Sequence, residues 1–208
     1  ANIRRLRAAG VEPTLVVQRS PGWAQRTPGR LCSPPKPEYV GDFVRFMKAL
    51  AARYSIGDIA VNYWEIWNEP DFTPAQAPDV GGNGCWGDAT LPYNGGSYYG
   101  EVLRQVYPAI KAANPHATVL GGALWYWWPN DTFSRTFLEG MLNSGAGSAI
   151  DALSFHAYGE WGAGDLLINK TVRLRAILSQ YGLANKPLFA TEIAATCTSN
   201  NSCLPNFL

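Results

Sequence analysis

Short apolar runs alternate with longer amphipathic segments along most of this 208-residue chain. The apolar runs are rich in Val, Leu and Ile and are bounded by Gly, Pro or polar residues, which predicts buried strands. The segments between them repeat apolar residues at helical spacing, as in residues 37–54. One helix, four strand–helix pairs and a last strand are typical of parallel βαβ units. The predicted strands are 14–18, 61–67, 117–124, 150–158 and 186–193, and the predicted helices are 3–10, 37–54, 97–114, 131–145 and 164–182.

Two architectures fit this alternation of strands and helices, an open doubly wound sheet and a (β/α)8 TIM barrel. No Gly-rich phosphate-binding fingerprint follows any predicted strand, which argues against a nucleotide-binding open sheet. Polar and aromatic residues cluster directly after the strands, and in both folds binding sites are built at that edge. The residues of this cluster are Arg19, Trp23, Asn68, Glu69, Trp125, Trp127, His156, Tyr158 and Glu192.

The composition indicates one globular domain that spans residues 1–208. Hydrophobic residues make up 47% of the chain and charged residues 16%, and the formal net charge is +1. Because no Lys/Arg block stands out, we expect no nucleic-acid partner. Because no run of 18 apolar residues occurs, we expect no membrane partner. Eight Trp and ten Tyr are a rich supply of side chains that grip flat, partly polar ligands.

The four cysteines predict disulfide bonds. Cys32, Cys85, Cys197 and Cys203 lie in loop-like segments, and none belongs to a Cys-x-x-Cys pair. This argues against a zinc ribbon and favours disulfides in a secreted, extracellular protein. Of the three pairings that four cysteines allow, we favour Cys32 with Cys85 and Cys197 with Cys203.

Two predicted strands deliver a glutamate to their carboxyl ends. Glu69 ends the run "YWEIWNE" and Glu192 ends "LFATE". Two carboxylic acids that face each other across a pocket are what glycoside hydrolysis requires, because one protonates the leaving oxygen and the other attacks the anomeric carbon or activates water. Such chemistry predicts neither a cofactor nor a metal, and it predicts a carbohydrate partner.

The stretch "WEIWNEP" resembles the Asn-Glu-Pro motif of the clan A glycoside hydrolases, which are retaining enzymes on a (β/α)8 barrel. In that clan the motif glutamate ends strand four and the nucleophile ends strand seven. Counting from the Glu69 strand makes 186–193 the seventh. The resemblance therefore implies a chain from helix 2 to strand 7, with strands 1, 2 and 8 supplied by a longer parent chain. Within the clan, family 39 (β-xylosidase-like) and family 5 (cellulase-like) look closest.

The resemblance also implies roles for five residues. Glu69 corresponds to the acid/base and Glu192 to the nucleophile. Asn68 would hydrogen-bond the sugar hydroxyl beside the anomeric carbon, Tyr158 would hydrogen-bond the nucleophile, and His156 would line the sugar subsite. Neighbouring residues of an ideal strand point to opposite faces, so Asn68 and Glu69 both reach the pocket only if the strand is irregular at its tip.

Other acidic and aromatic residues complete the prediction. Glu65 is interpreted as a buried structural carboxylate and Asp71 as a residue that orients the loop after the motif. Among the loop tryptophans we expect Trp23 and Trp127 to stack on sugar rings. Glu160 and Asp165 follow the fourth predicted strand and contact either substrate or solvent.

Alternative functions stay open at this point. One is an exo-acting, β-xylosidase-type enzyme that removes single sugars, and another is a non-catalytic carbohydrate-binding barrel. An α/β hydrolase would need a Gly-x-Ser-x-Gly nucleophile elbow, and the sequence contains none.

Overall fold

The computed structural model describes residues 2–76, 84–126, 132–160 and 164–196. The strands are β1 (Thr14–Val17), β2 (Tyr63–Ile66), β3 (Thr118–Leu124), β4 (Ala152–Glu160) and β5 (Leu188–Thr196). The α-helices are α1 (Asn2–Ala8), α2 (Val40–Arg53), α3 (Gly96–Ala113), α4 (Thr132–Asn143) and α5 (Gly164–Gln180). Short 3₁₀ helices lie at Gly22–Ala24, Pro37–Tyr39, Gly57–Ile59, Pro92–Gly95 and Ala146–Ser148. Every predicted strand and helix is present in the predicted order.

The five strands form one parallel sheet in the order β1-β2-β3-β4-β5. Each strand–helix unit therefore adds its strand on the same side of the preceding one. A doubly wound sheet reverses its strand order at a switch point, and the described strands contain no reversal. The prediction of a (β/α)8 barrel is confirmed as a half-barrel of five strands.

The sheet is strongly curved. The Thr191 hydroxyl of β5 donates a 2.8 Å hydrogen bond to Glu65 of β2, and the rings of Tyr63 and Phe189 lie 5.9 Å apart. In a flat sheet these two strands would be roughly 14 Å apart, three interstrand spacings. The contacts across the concave side define the interior face of the half-barrel, on which the candidate site is built.

The helices cover the outer face of the sheet. Helix α3 packs against both α2 and α4, and its buried stripe includes Leu103, Val106 and Ile110. These side chains belong to one continuous hydrophobic core that also contains Met47 of α2 and Phe137 of α4. The core fixes the strands from outside and leaves their carboxyl ends available for polar side chains. Among the described residues, none of the helices is both long and apolar enough to cross a bilayer.

One disulfide bond joins the loops that follow β1 and β2. Cys32 and Cys85 are bonded across 53 residues of sequence, and their Cα atoms lie 5.4 Å apart. This confirms the favoured pairing of Cys32 with Cys85. Cys197 and Cys203 lie outside the described residues.

We expect removal of this disulfide by the double substitution Cys32→Ala and Cys85→Ala to lower the free energy of unfolding by about 2–4 kcal/mol, because the bond restrains a long loop of the unfolded chain. Urea unfolding of both forms measures the change. Urea unfolding of the double variant with a reductant is the control. The reductant should not lower its free energy of unfolding further through this pair, because the bond is already absent. Equal unfolding midpoints for both forms would contradict the prediction.

Candidate active site

The tip of β2 is irregular. Trp67 and Glu69 have left-handed backbone torsions, with φ values of 74° and 48°, a conformation that costs free energy for residues other than glycine. Hydrogen bonds hold the distorted segment: Trp67 N–H donates to the Val17 carbonyl (2.8 Å) and Glu69 N–H to the Ala123 carbonyl (3.0 Å). The irregularity that the Asn68–Glu69 pair requires is therefore present, and both residues are buried.

The loop after the motif packs tightly onto this tip. Gly84 donates its N–H to the Asn68 carbonyl over 2.9 Å. A Cβ atom at Gly84 would lie 2.4 Å from the Cβ of Phe72, and φ at this position is +76°. Only glycine fits here, and its close approach anchors the backbone beside Glu69.

A β-bulge brings Glu192 to the interior face. In the β4–β5 register Phe155 is opposite Ala190, but the next residue, His156, is opposite Glu192. Thr191 is thus an extra residue on β5, which shifts the alternation of side chains by one position. As a result Thr191 and Glu192, although adjacent, both make contacts on the interior face.

The carboxylates of Glu69 and Glu192 meet at His156. The imidazole Nδ1 lies 2.8 Å from Glu69 Oε1 and 3.5 Å from Glu192 Oε2. One carboxylate oxygen of each glutamate and one imidazole nitrogen lie within 4.8 Å of one another. The two carboxylates are therefore close neighbours on the interior face.

The two carboxylates differ in their surroundings. The side chain of Glu69 is 5% exposed and that of Glu192 is 39% exposed. The two groups therefore lie in unequal environments, because solvent reaches Glu192 and is largely excluded from Glu69.

The His156 ring is fully buried, so it lies beneath the carboxylates and does not line open pocket. This differs from its expected place in the sugar subsite. Its Nδ1 faces carboxylate oxygens, which only accept, so Nδ1 carries a proton and donates to Glu69. Its Nε2 has no hydrogen-bond partner among the described residues.

Tyr158 donates a hydrogen bond from its hydroxyl to Glu192 Oε2, the contact that the sequence resemblance implied. Burial raises the pKa of this phenol, and the hydrogen bond to Glu192 and the negative charges of Glu192 and Glu69 raise it further. Tyr158 therefore stays protonated at neutral pH and acts as a permanent donor to the Glu192 carboxylate.

Glu65 is buried below the pair, in agreement with its interpretation as a structural carboxylate. It accepts hydrogen bonds from Thr191 and Ser154. Burial raises the pKa of the Glu65 carboxyl, and the two hydrogen bonds oppose this shift in part. The folded protein thus holds the Glu65 proton more tightly than the unfolded chain does.

The raised pKa of Glu65 predicts a pH effect on stability. Between the pKa of the unfolded chain and that of the folded protein, only the folded state keeps this proton, so the free energy of unfolding falls as the pH rises. We expect Glu65→Gln to lose less stability than the wild type when urea unfolding is followed from about pH 4 to 7. Glu101→Gln, on the exposed side of α3, is the matched control. Parallel curves for wild type and Glu65→Gln would contradict this expectation.

Asp71 fixes the loop after β3, whereas the sequence predicted that it orients the loop after the motif. Its two carboxylate oxygens accept the backbone N–H groups of Trp125 (3.0 Å) and Tyr126 (2.9 Å). The Trp125 ring stacks on Tyr158 at 5.4 Å and an interplanar angle of 26°. Asp71 therefore couples the Glu69 loop to the tyrosine that donates to Glu192.

Sequence reasoning missed Lys170. This buried ammonium group of α5 donates to the carbonyls of Trp125 (2.8 Å) and His156 (3.0 Å). Burial lowers its pKa, and the negative charges of Asp71 and Glu69 oppose that change. The available signal was its position in the stripe with Leu167, Leu174 and Ile177, since a lysine at a buried helical position is rare without a partner.

Of the two tryptophans expected to bind sugar, the structure describes only Trp23. Trp23 is 59% exposed, lies just beyond β1, and contacts the edge of Tyr39 at 5.0 Å between ring centroids. Its accessible ring is able to receive an apolar ligand face. Trp127 lies outside the described residues, as do the side chains of Glu160 and Asp165.

Glu69, His156 and Glu192 are also close enough together to hold a metal ion. The hydrogen bond from Nδ1 to Glu69 already uses the imidazole nitrogen that a metal would need. Glycoside hydrolysis by two carboxylic acids requires no metal, so the expectation of a metal-free site stays a prediction.

Solved structures share this fold over nearly the whole chain. A monomeric β-xylosidase from Caulobacter crescentus superimposes with a TM-score of 0.61 at 21% identity and covers 93% of this chain. A family 39 glycoside hydrolase from Bacteroides cellulosilyticus gives 0.62 at 19% identity over 96%, and a glucosidase from Croceicoccus marinus 0.62 at 16% over 95%. This chain spans only 38–39% of the length of these three proteins. No protein-family model and no curated protein sequence matches the chain.

Proposed function

We propose that this chain carries the catalytic pair of a retaining glycoside hydrolase that cleaves β-glycosidic bonds in polysaccharides or oligosaccharides. The observation that carries the proposal is the close approach of the carboxylates of Glu69, just beyond β2, and Glu192, within β5, with one oxygen of each within 4.8 Å. The fold shared with xylosidase and glucosidase structures supports the same conclusion.

In the first step Glu192 attacks the anomeric carbon and forms a covalent glycosyl ester. The bond from that carbon to the leaving oxygen breaks, and Glu69 gives its proton to that oxygen. The burial of Glu69 suits the protonated acid, and the accessible Glu192 suits the nucleophile. The donated hydrogen bond from Tyr158 holds Glu192 in position.

In the second step the ionised Glu69 takes a proton from water, and the resulting hydroxide attacks the anomeric carbon. The ester bond to Glu192 breaks, which regenerates both carboxyl groups in their starting states. His156 keeps Glu69 in place through both steps, because its Nδ1–H bond to Oε1 is buried away from competing water.

We propose that substrate binding uses the residues around this pair. Asn68, which precedes Glu69, would contact the hydroxyl next to the anomeric carbon, a contact that tightens in the transition state. The exposed ring of Trp23 offers a stacking surface for a more distant sugar, and Trp127 is assigned the same role from its position in the sequence.

The stereochemistry of the product tests the proposal. Proton NMR of the first sugar released from a β-glycoside should detect the β-anomer before mutarotation. Release of the α-anomer would indicate an inverting enzyme and contradict the assignment of Glu192 as nucleophile. We also propose that the remaining barrel strands come from a longer polypeptide, because β1 and β5 are the edge strands of the described sheet. The assay therefore uses that complete polypeptide.

We further propose that the protein is extracellular. The Cys32–Cys85 disulfide supports this location, since such bonds persist in oxidising compartments and are rare in reducing ones. Polysaccharides are encountered mainly outside the cell, so an extracellular location agrees with the proposed substrate class. Detection of the protein in the culture medium of its source cells would test the location.

A further inference from the structure

Side chains on the interior face form three successive layers, and the Glu69–Glu192 pair is the uppermost of them. Tyr63 and Phe189 are in contact in the lowest layer. Glu65 and Thr191 follow two residues later on the same strands and are hydrogen-bonded. Strict alternation along β5 would place residue 193 in the next interior position, but Glu192 makes the interior contacts, and Ile193 is exposed.

The register shift is therefore located at Thr191. Below it, Phe155 pairs with Ala190; above it, His156 pairs with Glu192. Register determines which side chains face a pocket, and a change of one residue exchanges the two faces of a strand. Without the bulge Glu192 would point to the outer face, away from Glu69 and Tyr158.

The hydroxyl of Thr191 is bonded to a residue that is 126 positions away in the sequence. It donates to Glu65 Oε1 over 2.8 Å, and Ser154 donates to the same carboxyl group. Glu65 is buried, so loss of the Thr191 hydroxyl would remove one of the two side-chain donors to this carboxyl group in a place where water does not replace it. The contact anchors the bulge residue, which directly precedes Glu192, to β2 on the far side of the half-barrel.

We propose that Glu65 and Thr191 are positioning residues for the nucleophile: their hydrogen bond across the half-barrel anchors the bulge residue Thr191 and so holds Glu192 beside Glu69. The inference rests on the proposed function for its catalytic consequence, but its structural part is independent of it. Glu65 belongs to β2 and Glu69 follows directly after it, so one segment of the chain positions both carboxylates of the pair.

The first test replaces Thr191 with valine, which has the same shape but no hydroxyl, and with serine, which keeps the hydroxyl. A displacement of about 1 Å in a catalytic group is able to lower turnover by about 100-fold. We expect Thr191→Val to lower kcat by about 10- to 100-fold with little change in KM, and Thr191→Ser to restore most of the loss. Thr14→Val, at the exposed start of β1, is the control.

The second test changes Glu65. Gln keeps an oxygen that accepts from Thr191, whereas Leu fills similar space without an acceptor, so Glu65→Gln should retain more activity than Glu65→Leu. Equal kcat for Thr191→Val and the wild type would overturn the inference, and so would equal losses for Thr191→Val and Thr191→Ser. If Glu65→Leu does not fold, the two Thr191 variants still decide.

Crystal structures separate this inference from the proposed function. In Thr191→Val we expect the pairing of His156 with Glu192 to be lost or the separation of the Glu69 and Glu192 oxygens to increase beyond 4.8 Å. An unchanged register and separation would overturn the inference whatever the activity. A wild-type protein without hydrolase activity, or an active Glu192→Gln variant, would instead contradict the proposed function.

Discussion

Replacement of Glu192 by glutamine is expected to reduce kcat on the order of 10⁴-fold or more. The amide has nearly the shape of the carboxylate and keeps an acceptor for the Tyr158 hydroxyl, so the site should retain its geometry. It lacks the negative charge and the nucleophilic oxygen that form the glycosyl ester. The loss should therefore be as large for aryl glycosides with good leaving groups as for natural substrates.

Glu101→Gln is the matched control for this prediction. It makes the same chemical change on the exposed side of α3, and it should keep wild-type turnover and wild-type unfolding. Incubation with an activated 2-fluoro glycoside gives a second measurement, because mass spectrometry should detect a covalent adduct on Glu192 in the control and none in Glu192→Gln. Substantial turnover by Glu192→Gln would mean that another group is the nucleophile.

Replacement of Glu69 by glutamine is expected to separate substrates by their leaving groups. Cleavage of natural sugar–sugar bonds should fall by about 10²- to 10⁴-fold, because the leaving oxygen no longer receives a proton. Aryl glycosides with acidic phenols need no such proton, so formation of the glycosyl ester should be much less affected. Its hydrolysis should become rate-limiting, since no base remains to activate water, and a pre-steady-state burst of phenol measures this.

Added azide ion provides the internal control. Azide attacks the glycosyl ester without a general base, so it should raise the turnover of aryl glycosides by Glu69→Gln and give a β-glycosyl azide. The wild type should gain nothing, because water attack is already assisted by Glu69. Equal losses on natural and activated substrates, with no azide effect, would show that Glu69 is not the acid/base.

Both predictions depend on two departures from regular strand structure. The left-handed torsions of Trp67 and Glu69 turn the Asn68–Glu69 pair into the site, and the extra residue at Thr191 does the same for Glu192. Irregular backbone of this kind is retained where surrounding contacts hold it. Here those contacts include the Glu69–Ala123 backbone bond and the Thr191–Glu65 bond.

The order and type of the strands and helices were determined by the sequence alone, because hydrophobic periodicity is a local property of each segment. The same local pattern predicted Glu69 and Glu192 at strand ends. Glu69 does lie just beyond β2, but β5 continues past Glu192 to Thr196, because its pairing with β4 extends over that length. The pairing of Cys32 with Cys85 was also favoured from loop positions, although sequence rules by themselves leave three pairings open.

Only the tertiary structure decided the contacts between distant segments. The burial of His156 beneath the carboxylates, the place of Lys170 under the Trp125 loop and the bond from Thr191 to Glu65 all join elements far apart in the chain. A shift of one residue in register leaves the local pattern almost unchanged but reverses which face each side chain occupies. The positions of Glu69 and Glu192 along the chain were therefore evident from local sequence, whereas the register that faces Glu192 toward Glu69 was decided by the pairing of β4 with β5.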